Sequence, residues 1–337
     1  MICPYCQGSH IQKRGKHRNG SQRWYCIACN KSYTDNTEQK EDTTVWEYLN
    51  KNVKEKVPLN DFFDLAHKHQ KLHQDLSQSQ DIAKIKFTTD ENWIAIVFSA
   101  DWHFGSVSVD YKSLEAHLKT IIDNPLYLIT VGDLNDNFRR FRTLQPVLSQ
   151  IFSPKEQAEF LRALIPEMSG KWLAATWGNH DIEFDEQLYG ESPIKELLSK
   201  HFAYFNGKGI LELQINKEIY RIGMSHYFKG HSIYNPTHSL IRAIKDDFGP
   251  LVQVVVQGHK HQHAYQFFNK YEVAKELGYT ELGGELHLLH VGTFEVDSGY
   301  SKRFWGKGQI GVPVLLFNSN QHEIVWFPKV DQALRYL

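Results

Sequence analysis

After Cys29 the chain has no cysteine in more than three hundred residues; the only four stand at positions 3, 6, 26 and 29. A disulfide framework for the bulk of the protein is thereby excluded, and a reducing, cytoplasmic setting is expected. Acidic residues are missing from the first 34 positions. Lys13, Arg14, Lys16, Arg18, Arg23 and Lys31 fall there unopposed, a local charge of +6 on a chain whose formal net charge is −1. The whole chain is therefore no polycation, and attraction to an anionic partner has to come from its N-terminus. Long apolar runs are also missing. None approaches the roughly 18 residues needed to span a bilayer as a helix, and the N-terminus has no apolar core of a cleaved signal. No membrane partner is expected.

What is present falls into three zones. Residues 1–36 are punctuated by Cys and Gly and end in a polar run. Residues 37–92 are polar and read as helical: "TVWEYLNKN" is one short amphipathic segment. After Pro58, "LNDFFDLAHKHQKLHQDL" places Leu59, Phe62, Phe63, Leu65, Ala66, Leu72 and Leu76 near a 3.6-residue period. Two readings of this zone stand, a partial helix-turn-helix or a connector packed on the large domain, and the connector is preferred. Residues 93–337 change pattern. "WIAIVFSADWHFG", "LYLITVGDLND", "WLAATWGNHD" and "VQVVVQGHKH" are apolar runs that end in polar loops, as buried strands do. Helical stretches are expected near 111–123, 154–169, 192–203 and 236–247, a hairpin at "ILELQIN" and "EIYRIGMSH", and further strands at "ELHLLHVGTF", "VPVLLFNS" and "HEIVWFP". This alternation predicts an α/β domain.

The loops after those strands carry the chemistry. In order they are Asp101-Trp102-His103, Gly132-Asp133-Leu134-Asn135-Asp136, Gly178-Asn179-His180-Asp181, His226 after the hairpin, and Gly258-His259-Lys260-His261. Strand ends are where α/β domains gather functional groups. Mixed carboxylate, amide and imidazole donors suit manganese, with iron, zinc, cobalt or nickel as alternatives. Seven such side chains suffice for two cations that share one carboxylate. His231, five residues past His226, is the other candidate for the lone His position and is otherwise expected to line the site. Trp102 and Trp177 flank these loops and are expected to pack beneath them.

The series D-x-H, G-D-x-x-D, G-N-H-D, a lone His after a strand, and G-H-x-H resembles the calcineurin-like metallophosphoesterases. All five blocks occur in that family's order between residue 93 and about residue 270. The resemblance implies a four-layer α/β/β/α sandwich and a hydrolase that uses two divalent metals. It implies that Asp101, His103 and His261 hold one metal, Asn179, His226 and His259 the other, and that Asp133 bridges them. It further implies that His180 is the general acid, oriented by the Asp136 carboxylate, while Asp181 supports its loop. Paired cations of this kind activate water near neutral pH and offset charge on phosphoryl oxygens. One departure is Asn137. The family's protein phosphatases carry at that position an Arg that grips phosphate. Arg139 and Arg140 are the nearby candidates for that task, with a solvated face as the equal alternative. The wording "GDLND…GNHD" lies nearer the family's nuclease branch.

Cys3-x2-Cys6 and Cys26-x2-Cys29, nineteen residues apart, form the spacing of one tetrahedral zinc site. So short a segment cannot bury a sufficient core, so zinc is expected to supply its folding energy. A redox CxxC would belong on a thioredoxin-like βαβ unit, and none is in view. The stretch from C-P-x-C to "QRWYCIACNKSYTD" resembles the zinc ribbon of insertion-element transposase accessory proteins. Arg14, Lys16, Arg18 and Arg23 beside Trp24 and Tyr25 fit phosphate contacts and base stacking. A protein partner is the alternative. The resulting expectation is a two-metal phosphodiesterase acting on nucleic acid, DNA first, in a phage or mobile-element setting. The rivals are an enzyme on small nucleotides whose ribbon docks a protein, and a non-catalytic DNA-binding protein.

Overall fold

Around the four cysteines the chain makes three short strands, β1 (Ile11–Lys16), β2 (Gln22–Cys26) and β3 (Lys31–Thr34), joined in that order into an antiparallel sheet. These and all further elements come from a computed structural model that describes residues 2–16, 22–34, 59–64, 66–68, 70, 82–137, 149–183, 192–232, 234–249, 252–269, 285–297 and 308–337. The chain divides into two units, Met1–Lys71 and Leu72–Leu337.

In the first unit both cysteine knuckles are built alike. The residue after each second cysteine, Gln7 and Asn30, has positive φ (57° in both), which turns the backbone so that two sulfurs face one point. Cys3 and Cys26 are buried with Tyr33, and Ile11, Trp24 and Cys29 pack against them. Among the described residues that is the core of this unit, far too little to offset the ordering of the segment. Residues 59–64, 66–68 and 70 are helical, with Leu59, Phe62 and Phe63 exposed on them. The rest of 37–81, and with it the helix-turn-helix alternative, lies outside the described residues.

The second unit starts with a difference from expectation. Ile82–Phe87, placed by sequence in the helical zone 37–92, is a strand (β4). Its pattern I-A-K-I-K-F alternates, and Ala83, Ile85 and Phe87 pack onto the core while Lys84 reaches Glu212 (3.1 Å). There follow β5 (Trp93–Ser99), α1 (Tyr111–Asp123), β6 (Leu126–Val131), α2 (Pro154–Glu167), β7 (Trp172–Thr176), α3 (Pro193–Ser199) and β8 (Ala203–Phe205). Then come β9 (Lys208–Ile215), β10 (Glu218–Ser225), α4 (His238–Ala243), β11 (Val254–Gln257) and β12 (Ala264–Asn269). The last are β13 (Glu285–His290), β14 (Val314–Asn318), β15 (Ile324–Phe327) and α5 (Val330–Tyr336). Of these, β8, β12 and α5 were not anticipated.

The strands form two six-stranded sheets, ordered β15-β14-β5-β6-β7-β8 and β12-β13-β11-β10-β9-β4. Strict alternation assigns each residue to a layer. Ile94, Ile96 and Phe98 of β5 face inward to meet Leu211, Leu213, Ile222 and Val256 of the other sheet. Ala95 and Val97 face outward onto Leu114, Leu118 and Ile121 of α1 and Leu161 of α2. On the far side, Val255, Leu286 and Leu288 receive Leu240, Ala243 and Phe248 of α4 and the π turn after it. The architecture is the four-layer α/β/β/α sandwich. Burial on both faces explains why these strands read as unbroken apolar runs. Ends are set by capping: Ser153 and Glu156 form a reciprocal capping box at α2, with Pro154 at its first position. No helix among the described residues is long and apolar enough to cross a membrane.

Candidate active site

In the first sheet β5, β6 and β7 are parallel neighbours, and in the second β10 and β11 are. Their C-terminal ends deliver the five motif loops. The loops are held in an uncommon conformation. Nine described non-glycine residues have positive φ, and six belong here: Asp101, His103, Asp133, Asn137, His259 and His261. Each costs of order 1 kcal/mol, so the surrounding structure has to impose them. In both D-x-H and H-x-H the outer residues are left-handed and the middle one is buried as an anchor. Trp102 donates from Nε1 to Ser99 Oγ (2.7 Å); Lys260 Nζ donates to Ser239 Oγ (2.8 Å) and to the Gly230 carbonyl (3.2 Å). Motif glycines allow the loops to approach. A Cβ at Gly178 would collide with the Asp133 carboxylate, and one at Gly258 would stand 2.6 Å from Asp101 Oδ2.

Three clusters of possible ligand atoms result; one joins His103 with Asp136 and His180, and the other two correspond to the expected metal groups. In the first of these two, His103 Nε2 and His261 Nε2 are 3.1 Å apart, and Asp101 Oδ1 lies 3.4 Å from His261 Nε2. In the second, His259 Nδ1 and His226 Nε2 are 3.2 Å apart, with Asp133 Oδ2 3.0 Å from His226 Nε2. Asp133 Oδ2 is also 3.9 Å from His103 Nε2, so it borders both groups, while Oδ1 accepts the His180 backbone N–H (2.9 Å). Ring nitrogens facing each other at these distances, beside buried carboxylates, are a donor set for cations. Bonds of about 2.0–2.2 Å place such donors about 3 Å apart. The residues fit the divalent metals this chemistry needs. Asn179 is half-buried at the start of a π turn, Asn179–Glu183, between Gly178 and His180. His226 joins a group; His231 is exposed and joins none of the clusters.

Charge is arranged accordingly. Burial pushes the Asp133 carboxyl up, but His226, His180 and His103 outweigh it and hold it well below the usual range. Burial pushes His103 down, yet the carboxylates of Glu295, Asp136 and Asp133 lift it to about 10. His226 is lifted to about 9 against its burial, chiefly by Asp133. His259 goes the other way, to about 4, through burial and the neighbouring His226. Without metal, then, protons occupy positions that cations take.

His180 meets both the backbone and the side chain of Asp136. Its Nδ1 bonds the Asp136 backbone carbonyl at 2.7 Å, while the Asp136 carboxylate is 3.8 Å away and nearer His103 Nδ1, at 3.3 Å. Asn137, at the position where protein phosphatases carry Arg, is buried; its Nδ2 donates to the His180 carbonyl (3.0 Å) and its N–H to Gln157 Oε1 (2.8 Å). It braces the His180 loop. Asp181 accepts from the N–H groups of Leu134 (3.0 Å), Asn135 (3.2 Å) and Gly178 (3.1 Å), tying two motif loops together. Trp102 is fully buried beneath them. Arg139 and Arg140 lie outside the described residues.

Sequence reasoning missed Glu295. It is buried, takes a hydrogen bond from Ser106 Oγ (3.0 Å) and lies 3.8 Å from His261 Nδ1. A signal was there: "ELHLLHVGTFE" is another apolar strand ending in Gly and polar residues.

In the N-terminal unit, Cys3 and Cys29 sulfurs are 3.6 Å apart, as are those of Cys6 and Cys26. All four lie within 4.8 Å of one another. Tetrahedral thiolates at about 2.3 Å from zinc stand about 3.8 Å apart, so the set fits that ion. Arg14 lies over the Tyr25 ring at 4.1 Å and Lys13 over Trp24 at 5.3 Å. Trp24 packs against the cysteine core with its indole nitrogen buried, and Tyr25 carries the Arg14 guanidinium. Lys16 and Arg23 are exposed, and Arg18 lies outside the described residues.

A family model described as calcineurin-like phosphoesterase matches residues 94–263. Solved structures with some likeness include a calcineurin-like phosphoesterase, YfkN, from Bacillus subtilis: 13% identity, TM-score 0.32, covering 70% of this chain and 88% of that one. Another is the sulfate thiohydrolase SoxB from Thermus thermophilus in complex with glycerol: 9% identity, TM-score 0.34, covering 72% of this chain and 58% of that one. At these scores neither likeness adds to the argument. No curated protein matches the chain.

Proposed function

The chain belongs to the calcineurin-like phosphoesterases, metal-dependent hydrolases of phosphoesters, and from that premise we propose that it is a two-metal phosphodiesterase acting on nucleic acid, DNA first. In this reading the N-terminal unit is a zinc ribbon that holds the substrate. The observation that carries it is the combination on one chain of paired His/Asp groups and a cysteine module bearing six unopposed cations, with Arg14 laid on Tyr25. Stacked guanidinium and aromatic surfaces beside positive charge suit bases and phosphates together.

Asp101, His103 and His261 would hold one cation, Asn179, His226 and His259 the other, and Asp133 both; manganese fits this donor set. When bound, the pair supplies activated water and offsets charge on the phosphoryl oxygens. The chain's residues do the rest. His180 commits Nδ1 to the Asp136 carbonyl, so Nε2 is the nitrogen that hands a proton to the leaving alkoxide. Asn137 and Asp181 keep that loop in register. With Asn137 turned inward, the phosphate grip of protein phosphatases is absent from that position, which favours diester over phosphoprotein substrates.

The test is manganese-dependent turnover of single-stranded DNA, duplex DNA, RNA, a cyclic nucleotide and p-nitrophenyl phosphate. Cleavage of a polynucleotide supports the reading. Turnover of small esters alone would make the ribbon a protein-docking element, for which exposed Ile2, Tyr5 and Ile27 on the knuckles offer a surface.

A further inference from the structure

The segment after β13 runs across the loop that carries Asp101 and His103. Phe294 N–H and Thr293 Oγ1 both donate to the Asp101 carbonyl, at 3.0 and 2.8 Å. Asp110 N–H returns a bond to the Phe294 carbonyl (2.9 Å), and Val296 N–H bonds that of Ser108 (3.1 Å). This lacing sets Glu295 behind the first ligand group, 7% exposed. One of its oxygens takes the Ser106 hydroxyl (3.0 Å), and Ser106 is itself held by the His103 carbonyl through its N–H (3.0 Å). The other oxygen lies 3.8 Å from His261 Nδ1, while His261 Nε2 faces Asp101 and His103. His261 thus has donors on its metal side and a carboxylate on the other.

The two groups are backed unequally. In the first, Glu295 stands behind His261 and Asp136 behind His103. In the second, His226 Nδ1 meets the neutral carbonyl of Val131 (2.8 Å), and the His259 ring meets the edge of Tyr227 (centroids 5.1 Å). The buried carboxylates of Glu295 and Asp136 place negative charge 3.8 Å from His261 Nδ1 and 3.3 Å from His103 Nδ1, and charge this close, out of water, favours a cation on the opposite ring nitrogens. Removal of an outer-shell partner of a metal-binding histidine typically weakens metal binding 10–100-fold.

We propose that Glu295 is a positioning residue for a divalent cation held by Asp101, His103 and His261, and that it makes this the tighter of the two cation sites. The proposal rests on the two-cation reading of the ligand groups but not on nucleic acid as substrate. Glu295 touches no substrate; it acts through His261.

The test is calorimetric titration of manganese into the full-length protein, with its cysteine site left loaded, for wild type, Glu295→Gln and Ser106→Ala. Glu295→Gln keeps the volume and an acceptor for Ser106. Wild type is expected to show a tight and a weak step. Glu295→Gln weakens the tight step by about 10–100-fold and leaves the weak step as it was. Its turnover returns at saturating manganese. Ser106→Ala shifts the same step in the same direction by less, and serves if Glu295→Gln does not fold. A single class of site in wild type would overturn the ordering. A tight step unmoved by Glu295→Gln, or both steps weakened alike, would overturn the positioning role. A lower metal-free melting temperature with unchanged affinity would reduce Glu295 to a loop anchor and overturn it too. No manganese uptake by wild type would instead overturn the two-cation reading itself.

Discussion

Asp133 divides its work between two oxygens, Oδ1 to the His180 N–H and Oδ2 to the space between His226 and His103. Asp133→Asn removes the shared negative charge from both groups. It is expected to cut manganese stoichiometry from two towards none and turnover by at least about a hundredfold, measured by metal analysis and ester hydrolysis on one preparation. The histidines predict a proton signature. At pH 7 the metal-free site holds protons on His103 and His226, lifted to about 10 and 9, so manganese binding should release about two protons. Calorimetry in buffers of different ionisation enthalpy reads that number, and affinity should climb with pH up to about 10. These folded-state values lie above the ordinary imidazole value, so their contribution to the metal-free fold is fully present below about pH 6.5. It is lost as pH rises through about 9–10; a metal-free melting temperature that rises over that range would contradict the assignment.

At the scale of elements, the site depends on loops that share one architecture: a strand buried on both faces, a glycine, then left-handed ligand positions. The glycines are motif letters in the sequence and collision points in space, since Gly178 lies against Asp133 and Gly258 against Asp101. The strand β4 belongs to this scale as well. It pairs in parallel with β9 from Ile82↔Ile210 to Phe87↔Ile215 and contributes Ala83, Ile85 and Phe87 to the core between the sheets. A chain begun at residue 93 strips that edge and exposes apolar β9 residues. It is expected to melt well below a chain begun at residue 72, or to aggregate through the bared edge. Equal melting temperatures would show β4 to be dispensable. β4 was missed because the surrounding polar, helix-period sequence set the reading of a six-residue alternation, and short strands next to such segments are weak signals.

For the whole molecule, two units carry two donor sets that could hold metals: four cysteines in a segment with a small core among the described residues, and Asp and His groups in a sandwich with a large one. Removing residues 1–36 is expected to leave turnover of a small ester unchanged. It should weaken DNA binding and flatten its dependence on salt, because up to six phosphate-neutralising cations are lost. Binding measured at several salt concentrations checks this, and an unchanged slope would assign the ribbon to another partner.

The sequence alone determined the fold class, the family and the order of the five motif loops, because each is written in local signals: apolar strand, glycine, polar donor. It likewise set the four cysteines, all within positions 3–29, apart along the chain from the Asp and His motifs that begin at Asp101. Only the tertiary structure decided which atoms meet. His226 rather than His231 enters a ligand group. The Asp136 carbonyl, at 2.7 Å, meets His180 more closely than the Asp136 carboxylate, at 3.8 Å. Asn137 turns inward, Trp24 packs on the cysteines, and Glu295 arrives behind His261 from 34 residues further along the chain. Apart from Trp24, which lies two residues before Cys26 in the chain, these are contacts between segments distant in sequence, set by sheet order and loop conformation, and no window of neighbouring residues contains them.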